Sequence, residues 1–270
     1  MGTQILNIIW KLAIPTVLFS IIEFFPSHLL RGYEFDMGVF FYKTIGGCTY
    51  WFTAALVVAE LLIMLMLLSR RKCIWFYVVI SCLVFAIGYF IASNNISLIN
   101  KYPSLPWQYK HGMYAIPFMA LGGLYWRYEQ CVRKIFNKYT LPVMIVIYVA
   151  ALIWKPEEFR VLVSILDVNI PGIVLSLLST VILIEMCKQL PSMNLSDYVG
   201  QNTIGFYFMS GALPIVLSMI VNRFMTETNI LGLIIVFVGS FVIGLCAVYL
   251  MNRFVPWLFD LRVLWKKQEK

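Results

Sequence analysis

Charge is scarce in this chain. Asp, Glu, Lys and Arg make up 13% of its 270 residues, where soluble domains carry about 25%. Histidine is scarcer still, with only His28 and His111. Neither stands in a Ser-His-Asp spacing, and no G-x-S-x-G elbow or Walker loop occurs, so the usual soluble hydrolase and nucleotide-binding constellations are excluded. The six cysteines form no C-x-x-C pair, which argues against a zinc ribbon or a disulfide framework and leaves them as small apolar side chains. No cluster of His, Cys and carboxylates has metal-ligand spacing, so no metal is expected. The formal net charge is +8, yet the basic residues sit in short clusters between apolar runs. That placement excludes a nucleic-acid-binding domain and fits loops beside lipid headgroups. The opening MGTQIL lacks Ser or Thr at residue 6, so the myristoylation pattern fails. Lys11 interrupts the first apolar run and no small-residue cleavage site follows, so no cleavable signal peptide is expected.

What the chain has in excess is apolar surface: 61% of residues are hydrophobic and the mean hydropathy is +0.84. Such a composition belongs to membrane proteins. About 20 mostly apolar residues cross a hydrocarbon core about 30 Å thick. About eight segments meet that rule, approximately 5–25, 49–68, 73–93, 111–127, 140–154, 171–187, 203–222 and 230–251. Their backbone amides need internal partners in lipid, and the segments lack the alternation of barrel strands, so helices are expected. The predicted fold is therefore all-α, a polytopic bundle of about eight transmembrane helices in a single domain over 1–270, with a basic cytoplasmic tail over 252–270.

Lys and Arg distribution sets the expected orientation. The links 69–72, 127–139 and 188–202 together with the C-terminal tail hold thirteen basic residues, against seven in the alternate loops. Both termini are thus expected in the cytoplasm, with 26–48, 94–110 and 155–170 facing outward. The outward loops are rich in aromatics, among them Tyr33, Phe35, Phe40, Phe41, Tyr42, Tyr102, Trp107 and Tyr109. Two readings stand for these rings: an interfacial belt, or a platform for an acceptor.

Charged residues inside apolar segments need an explanation, because each costs at least about 2.5 kcal/mol on insertion scales. Lys11, Glu23, Glu60 and Glu185 qualify. Lys11 can snorkel to the cytoplasmic face. Glu23 and Glu185 stand near span ends and read as interfacial. Glu60, in AALVVAELLIM, falls near the middle of the second span. Its open readings are a bond to a neighbouring helix, a polar substrate path, or catalysis. His111, in WQYKHGMY, is either a polar anchor or a local base.

Four stretches, in order, resemble the acyltransferase-3 family of integral membrane acyltransferases. WKLAIPTVLFSII (10–22) is similar to the family's basic-then-Pro opening of a span. TYWFTAALVVAEL (49–61) is similar to its Trp-Phe segment followed by an acidic residue. MYAIPFMALGGLYWR (113–127) resembles its Pro-Phe span ending in a basic residue, and LSDYVGQNTIGFYFMS (195–210) its Gly-x-x-Ser-x-Gly-Ile-Tyr segment. The resemblance implies a bundle with both termini inside. It also implies transfer of an acyl group, commonly acetyl, from a CoA-type donor to a hydroxyl of a cell-surface carbohydrate or lipid-linked glycan, in a bacterial inner membrane. The donor, acetyl-CoA or another acyl-CoA, would be a substrate; no resident cofactor is implied.

Carried over residue by residue, the resemblance falls on Lys11, Trp51, Glu60, Arg127, Gly200, Asn202, Gly205 and Tyr207. Lys11, Trp51, Arg127, Asn202 and Tyr207 are the expected substrate- or donor-binding residues, and Glu60 and His111 the expected catalytic ones. His111 has no family motif behind it. The family's Arg-and-His first span has no counterpart here, and Ser210 and the Cys48-Thr49-Tyr50 run stand where the family often has His. The expectation is of a chain lacking the N-terminal catalytic spans. Alternative readings are a non-catalytic carrier or interaction protein in envelope polysaccharide handling, or an inactive remnant. The lipid bilayer and a glycan acceptor are the expected partners; nucleic acid is not.

Overall fold

Proline 15 shapes the first long helix. Having no N–H, it cannot bond the Lys11 carbonyl, and its ring crowds that oxygen. The chain answers with one wide turn. In the computed structural model, helix α1 (Gly2–Ile8) runs through a π-helical segment, Ile9–Ala13, into α2 (Ile14–Arg31), and the Ile14 N–H bonds to Ile9 O. The structure describes residues 2–31, 34–67, 74–93, 106–137, 139–154, 170–191, 193–224 and 230–263. The basic link 69–72, most of the loops 94–110 and 155–170, and the end of the basic tail lie outside the described residues.

The remaining helices follow in order. They are α3 (Met37–Lys43), α4 (Trp51–Leu67), α5 (Ile74–Ser93), α6 (Tyr109–Arg127), α7 (Glu129–Ile135), α8 (Thr140–Trp154), α9 (Ile170–Gln189), α10 (Asn194–Gln201), α11 (Thr203–Val221) and α12 (Ile230–Phe254). The described residues contain no strand, so the all-α expectation holds. Three helices among them are long and apolar enough to cross a membrane: Thr3–Pro26, Thr203–Val221 and Ile230–Phe254. Trp51–Leu67 and Trp75–Ile91 are apolar but shorter.

Two compact units divide the chain, Met1–Val57 with Ser192–Lys270, and Val58–Pro191. The core of the first unit is aromatic. Phe19 of α2 stacks on Phe208 of α11, with ring centroids 4.3 Å apart and planes 12° from parallel. Tyr50, just before α4, meets Phe208 edge-on and donates its hydroxyl to the Phe208 carbonyl at 3.0 Å. Leu258, in the turn Pro256–Leu258 after α12, completes the buried cluster. Between α2 and α4 the buried Thr16 and Thr53 hydroxyls share a hydrogen bond of 2.8 Å. Buried Ala54 and Ala55 make α4 slim there, as small residues do where helices approach closely. Gly205 is closely packed in a similar way. A Cβ at that position would lie 3.2 Å from both Phe259 Cζ and Val248 Cγ1.

Phe35 and Phe40, from the stretch 26–48, fold back on α2. Phe24, Phe25, Phe35, Phe40 and Phe41 form a ring cluster in which Phe24 meets Phe40 at 5.1 Å. Asp36 caps α3, accepting from Gly38 N at 2.6 Å.

The second unit pairs α5 with α6 and α8 with α9. Tyr114 of α6 packs against Phe85, and its hydroxyl reaches Gly88 O at 3.4 Å.

Gly205→Val is expected to lower the thermal unfolding midpoint of the detergent-solubilised protein, at a cost of about 1–3 kcal/mol for overpacking. Gly123→Val should leave it nearly unchanged, because nothing stands within 4 Å of a Cβ at that position. Equal midpoints for the two variants would refute the close packing at Gly205.

Candidate functional site

The segment Gly200–Gly205, which joins α10 to α11, lines a cavity of about 450 Å³ in the first unit. Lys11 and Leu12 belong to the π segment; Lys11 points its exposed side chain at the cavity wall while Leu12 turns into the core. Asn252 and Val248 from the end of α12, and Phe259 and Asp260 from the segment after it, close the lining.

Local chemistry explains this geometry. Asn202 interrupts the helix, with φ −113° and ψ 21°, so the chain ends α10 and starts α11 there. The sequence suggests that Gly200, Asn202 and Thr203 cap the following helix. Asn202 does occupy the cap position, but its side chain makes no cap bond. Its amide instead donates back to Tyr198 O at 2.8 Å, and its carbonyl accepts from Asn252 Nδ2 at 2.6 Å. Thr203 likewise turns back, donating to Gly200 O at 2.7 Å. The start of α11 therefore opens on the cavity with its amide dipoles uncovered by a side-chain acceptor. A helix start and a nearby ammonium both favour an anionic guest.

Asp260 is the acidic group in the lining, and Arg262 occupies it. Arg262 Nε and Nη2 reach its two carboxylate oxygens at 2.8 and 2.6 Å. The guanidinium holds the Asp260 carboxyl below the usual carboxylate range, with a smaller pull from Lys11. Arg262 Nη1 also donates to Asn7 Oδ1 on α1. The segment after α12 is thereby tied to α1 across one edge of the cavity.

Of the residues expected from the sequence to bind substrate or donor, the structure brings Lys11 and Asn202 together in this lining. Trp51 and Tyr207 lie in the same unit but in another cluster: the Phe52 ring meets Trp51 at 6.0 Å and Tyr207 at 5.4 Å, and the Tyr207 oxygen accepts from Phe52 N at 3.2 Å. Arg127 ends α6 in the second unit, exposed. Glu60 and His111 belong to that unit as well. Glu60 has no hydrogen bond or ion pair among the described residues. Both His111 ring nitrogens are shielded from solvent.

Two contributors to the cavity escaped sequence reasoning. Asn252 and Asp260 gave only the signal of polar residues directly after an apolar run. Glu185 reads as interfacial in the sequence. In the structure it is 2% exposed and accepts a 2.5 Å hydrogen bond from Tyr125 of α6. Lys188 binds Tyr125 Oη and Glu129 Oε1, each at 2.6 Å, and stands 3.5 Å from Glu185. That bond from Lys188 holds the Glu129 carboxyl below its ordinary range. The cluster ties α6, α7 and α9 together. Among the described residues no group of His, Cys and carboxylates could hold a metal ion.

Compared with models of known families, with curated proteins and with solved structures, the chain matches none.

The Asp260–Arg262 pair gives a pH signature. Because the folded carboxyl titrates below its unfolded range, the pair's stabilisation is present at neutral pH and disappears as pH falls below about 4. Partial exposure holds its size under about 1 kcal/mol. The wild type should unfold at a higher temperature than Asp260→Asn at pH 7, and the two midpoints should converge toward pH 3. A difference that persists or grows in acid would sink this assignment.

Proposed function

We propose that the chain is a multi-pass membrane acyltransferase that moves an acyl group, acetyl in the simplest case, from a CoA-type donor to a hydroxyl of a cell-surface carbohydrate or lipid-linked glycan. The observation that carries this reading is the cavity where Lys11, the uncovered start of α11 and Asn252 converge. Its electrostatics suit the phosphorylated end of such a donor, since an ammonium and helix amides both stabilise phosphate oxygens. The rim carboxylate Asp260 would repel a phosphate, but Arg262 neutralises it. Asn202, whose side chain is already engaged on both sides, shapes the wall, and Lys11 is the exposed cation of the lining.

The membrane setting is supported by apolar surface on the long helices. Phe237, Ile230 and Leu233 of α12 are all more than half exposed, a state that lipid favours and water does not. In the orientation set by Lys and Arg, the cavity faces the cytoplasm, where acyl-CoA is available. The proposed location is a bacterial inner membrane, with about eight crossings and both termini inside.

Acyl transfer needs a base for the acceptor hydroxyl and donors for the developing oxyanion. Glu60 and His111 are the proposed candidates for the base. A second reading, a non-catalytic carrier of polar envelope precursors, draws on Glu60 itself. A carboxylate with no bond among the described residues suits a transport path as well as a reaction.

Membranes containing the wild-type protein should transfer label from radiolabelled acetyl-CoA to endogenous glycans. Lys11→Ala should reduce that transfer by about tenfold or more, the scale of one hydrogen bond to a charged group. Absence of transfer by the wild type would remove the enzyme reading and leave the carrier. A wild-type rate in Glu60→Ala would exclude Glu60 from the chemistry.

A further inference from the structure

The acyl-transfer reading leaves unused a second polar cluster in the first unit. Glu23 lies about 18 Å along the helix from Lys11, at 1.5 Å per residue. The sequence places Glu23 at a span end, yet its neighbour on α11 is Gly211, near the middle of that helix. A Cβ on Gly211 would lie 3.6 Å from Glu23 Oε1 and 3.9 Å from Oε2, so a side chain there would meet the carboxylate and the glycine presents none. Tyr50 and Tyr207 both lie close enough to Glu23 to feel its charge.

Hydrogen-bond counting shows what this cluster lacks. The Tyr50 hydroxyl has one proton, and the Phe208 carbonyl accepts it at 3.0 Å. The Tyr207 oxygen accepts from Phe52 N, and its own proton has no acceptor among the described residues. Among the described residues the carboxylate thus retains acceptor capacity and Tyr207 retains a donor. A ligand hydroxyl, which both donates and accepts, answers the two at once. Aromatic faces adjoin them: the Tyr50 and Tyr207 rings are 5.8 Å apart, while Trp51 and Phe52, about half exposed, continue the ring series.

The backbone points the same way. Residues 44–50 are not helical, and Gly47 takes a left-handed φ of 67°. They end at Tyr50, whose partner Phe208 is well inside α11. Irregular backbone at that depth is tolerated where protein buries it or where it lines a watery cavity. Thr44 and Tyr50 are buried, whereas Trp51 is exposed.

We propose that Glu23, Tyr50 and Tyr207, walled by Trp51 and Phe52, form a second binding site, for a polyhydroxylated ring such as a sugar, entered from the side on which α3 lies. The site deepens the acyl-transfer reading, on which it rests for the fate of the ligand but not for its binding. It would hold the acceptor, as the Lys11 cavity would hold the donor. Glu23 and Tyr207 orient the ring by its hydroxyls, and the aromatic walls take its C–H face.

The test reads binding with no donor present. The full chain in nanodiscs is studied by saturation-transfer NMR with methyl glycosides of glucose, galactose, mannose and N-acetylglucosamine, and separately with tetramethylammonium. At least one glycoside should give a signal with the wild type. Glu23→Gln should weaken that binding by about tenfold, the scale of a hydrogen bond to a charged group. Gly211→Leu, which covers the carboxylate without altering it, should do the same, and Lys11→Ala should not. Thermal unfolding checks that each variant is folded, and either variant alone carries the test if the other is not. No glycoside signal with the wild type, signals that survive in the folded variants, or saturation of tetramethylammonium in place of the glycosides would each overturn the site. Glycoside binding without acetyl transfer sinks the proposed reaction and leaves this site standing; transfer with wild-type binding in both variants does the reverse.

Discussion

The stack of Phe19 on Phe208 sets the register of the first unit. At 4.3 Å and nearly parallel, the two rings hold α2 against α11 at a single level, and an offset aromatic stack of this kind contributes about 0.5–1.5 kcal/mol beyond its buried area. Tyr50 fixes the third element by donating to the carbonyl of the same Phe208. Two polar neighbourhoods of the unit then follow from residue counting. One way along the helices the register sets Lys11 beside the Asn202 break; the other way it sets Glu23 beside Gly211. A slip of one turn, about 5.4 Å, would separate both pairs at once. The lining around Lys11 and the proposed site around Glu23 therefore depend on the same packing, although neither contains the stack.

Placement of Lys11 depends on a second constraint, Pro15. A regular helix would have aimed Lys11 by the 3.6-residue period alone. The π turn inserts an extra residue and rotates what precedes it, so that Leu12 enters the core while Lys11 reaches the cavity wall. Such turns recur at functional positions because they reorient a side chain without ending the helix. The basic-then-Pro pattern at 11–15 thus has a mechanical meaning apart from any family resemblance.

Much of the fold was legible because apolar length is a one-dimensional signal. The segments 5–25, 203–222 and 230–251 correspond to the three long apolar helices, within a few residues. Less of the site was legible. Lys11 stood out as a charge in an apolar run and Asn202 through the family resemblance, and the structure brings both into one lining. Asn202 still defied its local reading: a side chain that pattern assigns to capping is claimed by Asn252 from the far end of the sequence. Periodicity carries no information about such a partner. The same blindness hid Glu185, whose buried state depends on Tyr125 and Lys188 rather than on its neighbours in sequence.

Three carboxylates in apolar stretches show how context decides what a charge does. Glu185 is fully buried, but a tyrosine hydroxyl at 2.5 Å and an ammonium at 3.5 Å answer it; such a group is structural, since removing a partner would leave an isolated buried charge. Glu60 is partly exposed on α4, so its role turns on what reaches it rather than on what already holds it. Glu23 stands between these cases. One hydroxyl is near, but that proton is already donated to a backbone carbonyl, and the facing residue is a glycine. A carboxylate whose nearby hydroxyl is bonded elsewhere keeps unused acceptor capacity among the described residues, and that capacity is what the proposed ligand would use.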